Sequence, residues 1–458
     1  MASSLLQRGP IKLSSDHTYL TYADGTPFFW LADTWWYGLT DRATWSQPFQ
    51  TMVKDRQRKG FSVIQVVVGV PPEIPLDSAE AKCQGEHPWT QDGEPNPLYF
   101  KAIEPKIRYL VDHGIVPCLF GGWGPQITQL GYAKVARFWQ ETVRYFGRYP
   151  VVWCVAGEVD MALPLTLDNT GWNLILKKLA HWLPVQVRHA VAASGHSDSQ
   201  IAGWSKIGTM IHQLDDHRHL ITAHPHIQRT AAQIFAHPSW LDINTIQSGH
   251  SHESAAYLVS QALESSGQGV FINLEPWYEG IRQDFYAKHQ RYAFWMSVLA
   301  GAKGHTYGAD GLWNMRTREQ PFLSHWGQTD WQTALNQPGS TQLGLAKRWL
   351  ALFPWWQLRP QLDWLTPVWT PDSPNASLVA SLTSDQAIIY IPDLSQNQSL
   401  GWSPSGQWKI TVINPITCLT IGSGQVNTKT GTLTWQLQQP TDLDDVVLLL
   451  EKTTPTEY

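Results

Sequence analysis

Charged side chains are scarce in this chain of 458 residues. Asp, Glu, Lys and Arg make up 16% of it, against about 25% in an average soluble domain. The formal net charge is −5, and there is no basic cluster. A nucleic-acid partner is therefore not expected, because such proteins need a basic surface for the phosphates. No apolar run reaches the roughly 18 residues of a membrane helix, so no membrane partner is expected either.

Cysteine is also rare. The four cysteines, Cys83, Cys118, Cys154 and Cys418, lie far apart, and this spacing suggests neither a disulfide framework nor a CxxC metal site. Neither a cofactor nor a metal ion is expected. The first ten residues lack the apolar core of a signal peptide, which favours a cytoplasmic location.

Tryptophan, by contrast, is abundant, with 25 residues. Sugar rings have apolar C–H faces that stack on flat aromatic rings, so an excess of Trp is one mark of carbohydrate enzymes. Tryptophan also fills hydrophobic cores. Composition alone leaves both interpretations open.

Short apolar runs alternate with amphipathic stretches through the first 350 residues. Eight of these runs are predicted to be strands, at residues 28–32, 61–68, 115–120, 151–155, 219–223, 241–246, 270–274 and 304–307. Uniformly apolar strands joined by helices indicate a parallel sheet that is covered on both faces. Eight such units predict an α/β fold of the (β/α)8 TIM-barrel type. A doubly wound open sheet is the alternative, although no GxGxxG follows the first strand.

Other segments flank or interrupt the predicted barrel. Residues 1–26, with the turn signal Asp24-Gly25, are predicted to form a β-hairpin that caps the barrel of residues 27–360. Residues 160–200 are predicted to be an insertion after the fourth strand. Residues 361–458 contain short period-two segments separated by Gly, Pro, Asn and Asp. This pattern predicts a small C-terminal all-β sandwich.

Two glutamates stand where a barrel places its chemistry, at the C-terminal ends of the strands. Glu158 follows the fourth strand and Glu275 follows the seventh. Glycoside hydrolysis needs two carboxyl groups flanking the scissile bond, one protonated and one ionised. Strands four and seven lie on opposite sides of the barrel mouth. We therefore predict a retaining glycosidase, with Glu158 as the proton donor and Glu275 as the nucleophile.

Polar and aromatic residues at the same strand ends are predicted to bind the carbohydrate substrate. Each of them alone could be structural, and their convergence is the stronger signal. They are Asp33, Gln65, Trp123, His224, Gln247, His250, Trp277, His305 and Tyr307.

Two other functions are compatible with these residues. A metal-dependent, amidohydrolase-type enzyme would use strand-end histidines and acids. The candidates for such a site are His224, His226, His250, His305, Asp33 and Asp310. Such barrels usually begin with an HxH motif on the first strand, which is absent here. A catalytically silent carbohydrate-binding barrel is the other alternative, but a decayed enzyme usually loses one of its two carboxylates.

Six segments carry a resemblance to a known family, in the family's order. They are Pro27–Thr34, Lys59–Gln65, Val152–Glu158, Trp240–His250, Leu274–Glu279 and Ala300–Gly308. The chain resembles the apiosidase-like glycoside hydrolases, which pair a (β/α)8 domain with a C-terminal β-domain labelled collagen-binding. The resemblance implies a glycosidase with Glu158 as acid/base and Glu275 as nucleophile. Two positions depart from the family pattern, which commonly has Asp at the position of Glu158 and often Arg at that of Trp277.

Overall fold

The computed structural model describes residues 5–161, 198–226, 229–395, 400–427, 429–438 and 443–453. Most of the predicted insertion at residues 160–200 lies outside the described residues. Near the N-terminus, strands β1 (Lys12–Leu13) and β2 (Leu20–Thr21) pair antiparallel. The Lys12 Nζ donates hydrogen bonds of 2.9 Å to the main-chain oxygens of His217 and Arg218. This small hairpin is thereby attached to the loop that precedes the fifth barrel strand.

Eight parallel strands of the described residues form the barrel. They are β3 (Trp30–Thr34), β4 (Val63–Val67), β5 (Val116–Phe120), β6 (Val152–Cys154), β7 (Ile221–Thr222), β8 (Ile243–Gln247), β9 (Val270–Glu275) and β10 (Gly304–Tyr307). Regular ladders run from β10 through β3 to β7 and between β8 and β9. The Asp242 N–H donates to the Ile221 oxygen (2.9 Å) and the Lys303 N–H to the Phe271 oxygen (3.0 Å). These bonds join the two sheets at both seams, and the predicted barrel is confirmed.

Helices cover the outer face of the barrel. In the described part of the chain they are α1 (Leu5–Arg8), α2 (Gln50–Lys59), α3 (Pro97–Asp112), α4 (Gln126–Leu130), α5 (Tyr132–Phe146), α6 (Asp198–Leu214), α7 (Ala231–Phe235), α8 (Ser254–Ser265), α9 (Ala287–Leu299), α10 (Trp331–Leu335) and α11 (Pro338–Leu350). Their ends follow from the sequence. The Asn96 side chain accepts from the Leu98 N–H at the start of α3, with Pro97 in its first turn. Helix α2 ends at Gly60, which has a φ of 88°. No helix of the described residues is long and apolar enough to cross a membrane.

The C-terminal part is all β, as predicted. Its strands are β11 (Arg359–Pro360), β12 (Leu365–Thr366), β13 (Leu378–Thr383), β14 (Gln386–Ile391), β15 (Gly401–Trp402), β16 (Gln407–Ile413), β17 (Thr420–Asn427), β18 (Thr432–Leu437) and β19 (Val446–Thr453). They form one antiparallel sheet with the strand order β11-β13-β14-β19-β16-β17-β18-β15-β12. Side chains from both ends of this order, such as Val379 and Leu433, share one apolar core. The sheet therefore folds over on itself.

Helix α9 lies between the barrel and the β-domain. Its residues from Gln290 to Leu299 are all buried, as expected for a helix that contacts protein on every side. The Arg291 guanidinium binds Asp445 through two hydrogen bonds of 2.7 and 2.8 Å. The Trp295 ring stacks at 6.3 Å on Tyr390 of β14. The β-domain is thus packed directly on the barrel.

Candidate active site

The two glutamates lie together at the C-terminal mouth of the barrel. Glu275 is the last residue of β9. Glu158 follows β6 and has a left-handed backbone, with a φ of 44°. A residue with a side chain is strained in that conformation, and such strain is concentrated at functional sites. Both glutamates are less than 10% exposed.

His224, just after β7, contacts both glutamates. Its Nδ1 accepts from the main-chain N–H of Glu158 at 3.3 Å, so in the neutral ring the proton is on Nε2. The Nε2 lies 3.2 Å from Oε2 of Glu275. The backbone N–H of Glu158 therefore orients the His224 ring so that its Nε2 faces the Glu275 carboxylate.

A second histidine contacts the same carboxylate. The His250 Nε2 lies 3.1 Å from Oε1 of Glu275. Burial alone would raise the pKa of Glu275, but the hydrogen bonds and positive potential of His224 and His250 outweigh it and lower the pKa to about 2. Glu275 is therefore ionised at neutral pH, as a nucleophile must be.

Glu158, in contrast, is held in its protonated state. Burial, and then the negative charge of Glu275, raise the pKa of Glu158 to about 8. The Trp123 indole donates a 2.7 Å hydrogen bond to Oε2 of Glu158, and the nearby side chain of Gln247, at the end of β8, also acts to lower the pKa of this carboxyl group. These two groups only partly offset the rise. Glu158 therefore keeps its proton at neutral pH and can donate it.

Glycines allow Trp123 to reach Glu158. The Gly157 N–H donates to the oxygen of Gly122 (3.0 Å), and the Gly124 N–H donates to the oxygen of Gly157 (2.7 Å). These bonds continue the pairing of β5 and β6 beyond the strand ends. A Cβ on Gly157 would lie 2.3 Å from the Trp123 ring, and a Cβ on Gly124 would lie 2.1 Å from the main-chain oxygen of Glu158. Neither position has room for a side chain.

Aromatic residues that the sequence did not single out surround the pair. Trp36 makes edge contacts with the rings of Trp123 (5.2 Å) and His224 (5.9 Å). The Tyr278 ring lies 4.5 Å from His250. Its hydroxyl, Gln247 Oε1 and His250 Nδ1 are buried without a hydrogen-bond partner among the described residues. Unpaired buried polar atoms are costly, and the hydroxyl groups of a sugar would satisfy them.

The structure brings four of the nine predicted substrate-binding residues around the glutamates: Trp123, His224, Gln247 and His250. Asp33 and Tyr307 point instead toward the helices. Asp33 is fully buried and accepts from Arg56 Nε at 2.6 Å. The Tyr307 hydroxyl donates to Glu279 at 2.7 Å. The physical reason is the alternation of side chains along a strand, which sends these positions to the outer face.

Three other predicted residues have different surroundings again. Gln65 spans the barrel interior, with Nε2 3.0 Å from the Leu274 oxygen. His305 is fully buried against the ring of Phe294, and burial lowers its pKa to about 3. Trp277 points away from the barrel mouth, because its indole donates to the oxygen of Ser251 (2.8 Å) on the side that faces the β-domain. The adjacent Tyr278 occupies the side on which Trp277 was expected.

Of the six residues proposed for the metal alternative, His224, His226 and His250 lie beside the two glutamates, and the other three lie elsewhere. Asp33 pairs with Arg56, and Asp310 with Arg316 at 3.0 Å, while His305 lies in the outer layer. Within the described ranges, no group of three or more His, Cys, Asp or Glu side chains could hold a metal ion.

Comparison with solved structures shows which proteins share this fold. A structure titled glycoside hydrolase matches with a TM-score of 0.75 and 18% identity, over 99% of each chain. A glycoside hydrolase family 5 protein from Bacteroides vulgatus matches with a TM-score of 0.73 and 17% identity, over 98% of this chain and 94% of that one. These likenesses show the fold, that of glycoside hydrolases. A comparison with curated proteins found no match.

The family follows from the sequence itself. Residues 14–357 match the family model described as Apiosidase-like, catalytic domain. The chain therefore belongs to the apiosidase-like family, and it is a glycosidase.

Proposed function

We propose that this glycosidase retains the anomeric configuration, with Glu275 as the nucleophile and Glu158 as the acid/base. The observation that carries the proposal is the opposite displacement of two neighbouring carboxyl groups, with a pKa of about 2 for Glu275 and about 8 for Glu158. Pairs of titratable groups whose pKa values are driven apart mark the acid and the base of an active site.

The reaction follows from these protonation states. In the first step, a carboxylate oxygen of Glu275 bonds to the anomeric carbon while the glycosidic C–O bond breaks. Glu158 gives its proton to the departing oxygen. Glu158, now a carboxylate, then takes a proton from water, whose oxygen attacks the anomeric carbon and releases Glu275. Retaining enzymes hold the two carboxyl groups about 5–5.5 Å apart, against about 6.5–9.5 Å in inverting ones.

The substrate we propose is a glycoside or oligosaccharide of plant or microbial origin. Trp123 and Tyr278 supply apolar ring surface near the pair, and Gln247 and His250 supply polar atoms for sugar hydroxyls. The division into residues 1–26, 27–360 and 361–458 and a cytoplasmic location stay predictions, and for the C-terminal domain we propose packing against the barrel as its role, in preference to the collagen binding of the family label.

A screen of nitrophenyl glycosides and plant oligosaccharides, followed by NMR of the first-formed anomer, tests the proposal. Glu275→Gln should abolish turnover and leave the fold intact. Glu158→Gln should slow substrates with poor leaving groups by about 10²- to 10⁴-fold and nitrophenyl glycosides much less, since good leaving groups need no proton. Glu264→Gln, on the exposed face of α8, is the matched control. An inverted product, or wild-type turnover by Glu275→Gln, would show that the assignment is wrong.

A further inference from the structure

A cavity lies between the barrel and the β-domain, outside the candidate active site. Its volume is about 500 Å³, within the range of small-molecule sites of about 300–1,000 Å³. The barrel contributes Trp277, Lys288 and His289 to its wall, and the β-domain contributes Tyr390, Asp393 and Asp444. The cavity is thus built by both domains together.

The same two loops line this cavity and the active site. After β8, His250 contacts the nucleophile, while His252, two residues later, lines the cavity. Glu275, at the end of β9, lies in the active site, and Trp277, again two residues later, lines the cavity. The active site and the cavity therefore share one pair of loops, which line both of them.

Aromatic and planar polar groups form the wall. The Tyr292 ring lies 5.7 Å from Trp277, and its hydroxyl donates to the Pro374 oxygen of the β-domain (2.7 Å). The Nδ1 of His289 is buried without a hydrogen-bond partner among the described residues. Burial lowers the pKa of His289 to about 4, so its ring is neutral at pH 7 and offers a donor or an acceptor.

The charges of the wall select the class of ligand. Asp393 and Asp444 disfavour an anion, and Lys288 offsets one of their charges, so the wall carries only a small net charge. No cluster of metal-ligating side chains occurs here in the described part of the chain. A neutral ligand with hydroxyl groups and apolar C–H faces fits the carboxylates, the imidazole and the aromatic rings. We propose that this interdomain cavity binds a neutral oligosaccharide, as a second site distinct from the catalytic one.

Calorimetric titration of the Glu275→Gln protein with cellotetraose, xylotetraose and mannotetraose tests this inference. At least one of these sugars should occupy the cavity. Lys288→Ala and Asp444→Ala should each weaken that binding about three- to tenfold, through loss of a hydrogen bond. Lys101→Ala and Asp92→Ala, which change exposed residues elsewhere, should not.

A blocking variant gives an independent check. Ala255 lines the cavity, so Ala255→Trp should remove this binding, whereas Ala256→Trp on the same helix should preserve it. If none of the three sugars binds, or if the cavity variants bind like the controls, the inference is wrong. Because the readout is binding, an inactive protein that still binds sugar in the cavity would refute the proposed function alone.

Discussion

Replacing Glu275 by Gln should lower the pKa of Glu158, because it removes a negative charge that helps Glu158 keep its proton. Burial of Glu158 remains in the variant, so its pKa should stay above the ordinary value of 4.5. The structure thus predicts that the pKa of Glu158 falls in the variant but does not return to 4.5.

The size of the fall follows from Coulomb's law. Two unit charges about 5.5 Å apart interact by about 3 kcal/mol at an effective dielectric constant of about 20. This energy corresponds to about 2 pKa units. If the two carboxyl groups were about 8 Å apart, as is typical of inverting enzymes, the pKa of Glu158 would fall by about 1.5 units.

The measurement is a carbon-13 NMR titration of protein labelled at its glutamate carboxyl groups. The resonance of Glu158 is assigned by its loss in Glu158→Gln. Glu94→Gln, which makes the same substitution in a surface ion pair with Arg137, is the control and should leave the pKa of Glu158 unchanged. A change of less than about half a unit in Glu275→Gln would refute the electrostatic coupling.

Three further predictions concern the same groups and the domain interface. Trp123→Phe removes a hydrogen bond that stabilises the Glu158 carboxylate, so the alkaline limb of kcat/KM should move to higher pH, as measured in a pH–rate profile. Glu158→Gln should stabilise the protein at pH 8 but not below about pH 4.5. Folding raises the pKa of Glu158, so the folded state is fully stable with respect to this group below pH 4.5 and loses stability as the pH rises toward 8. Denaturant unfolding of both proteins at both pH values checks this. Arg291→Met leaves Asp445 buried without its cationic partner, with only the Tyr390 hydroxyl still donating to it, and should cost about 3–5 kcal/mol in unfolding experiments. Arg137→Ala, in an exposed pair, should cost less than about 1 kcal/mol.

The order of the barrel strands could be predicted from the sequence, because each strand is a compact apolar run followed by polar residues. The last strand, Gly304–Tyr307, has the predicted bounds. Helix α3 could be predicted as well, since Asn96, Pro97 and Gly114 mark its ends. Here, local sequence signals and the tertiary fold agree.

The direction of side chains at the strand ends could not be predicted in this way. Barrel strands are buried on both faces, so they lack the apolar–polar alternation that reveals which face is which. Asp33 therefore looked like a residue of the site, although its partner Arg56 lies 23 positions later on α2. Trp277 and Tyr278 differ by one position, and only the path of the loop after β9 decides which of them faces the glutamates.

The protonation states of the pair depend on groups at the ends of five barrel strands. Trp123, which bonds Glu158, follows β5. Glu158 follows β6 and Glu275 ends β9, while His224 follows β7 and Gln247 ends β8. Since neighbouring strands of the barrel are hydrogen-bonded to one another, these groups are held in place before any substrate binds. A rigid, buried arrangement of this kind costs little reorganisation during the reaction. The fold thus prepares one glutamate as an acid and the other as an anion, which is the asymmetry that glycoside cleavage requires.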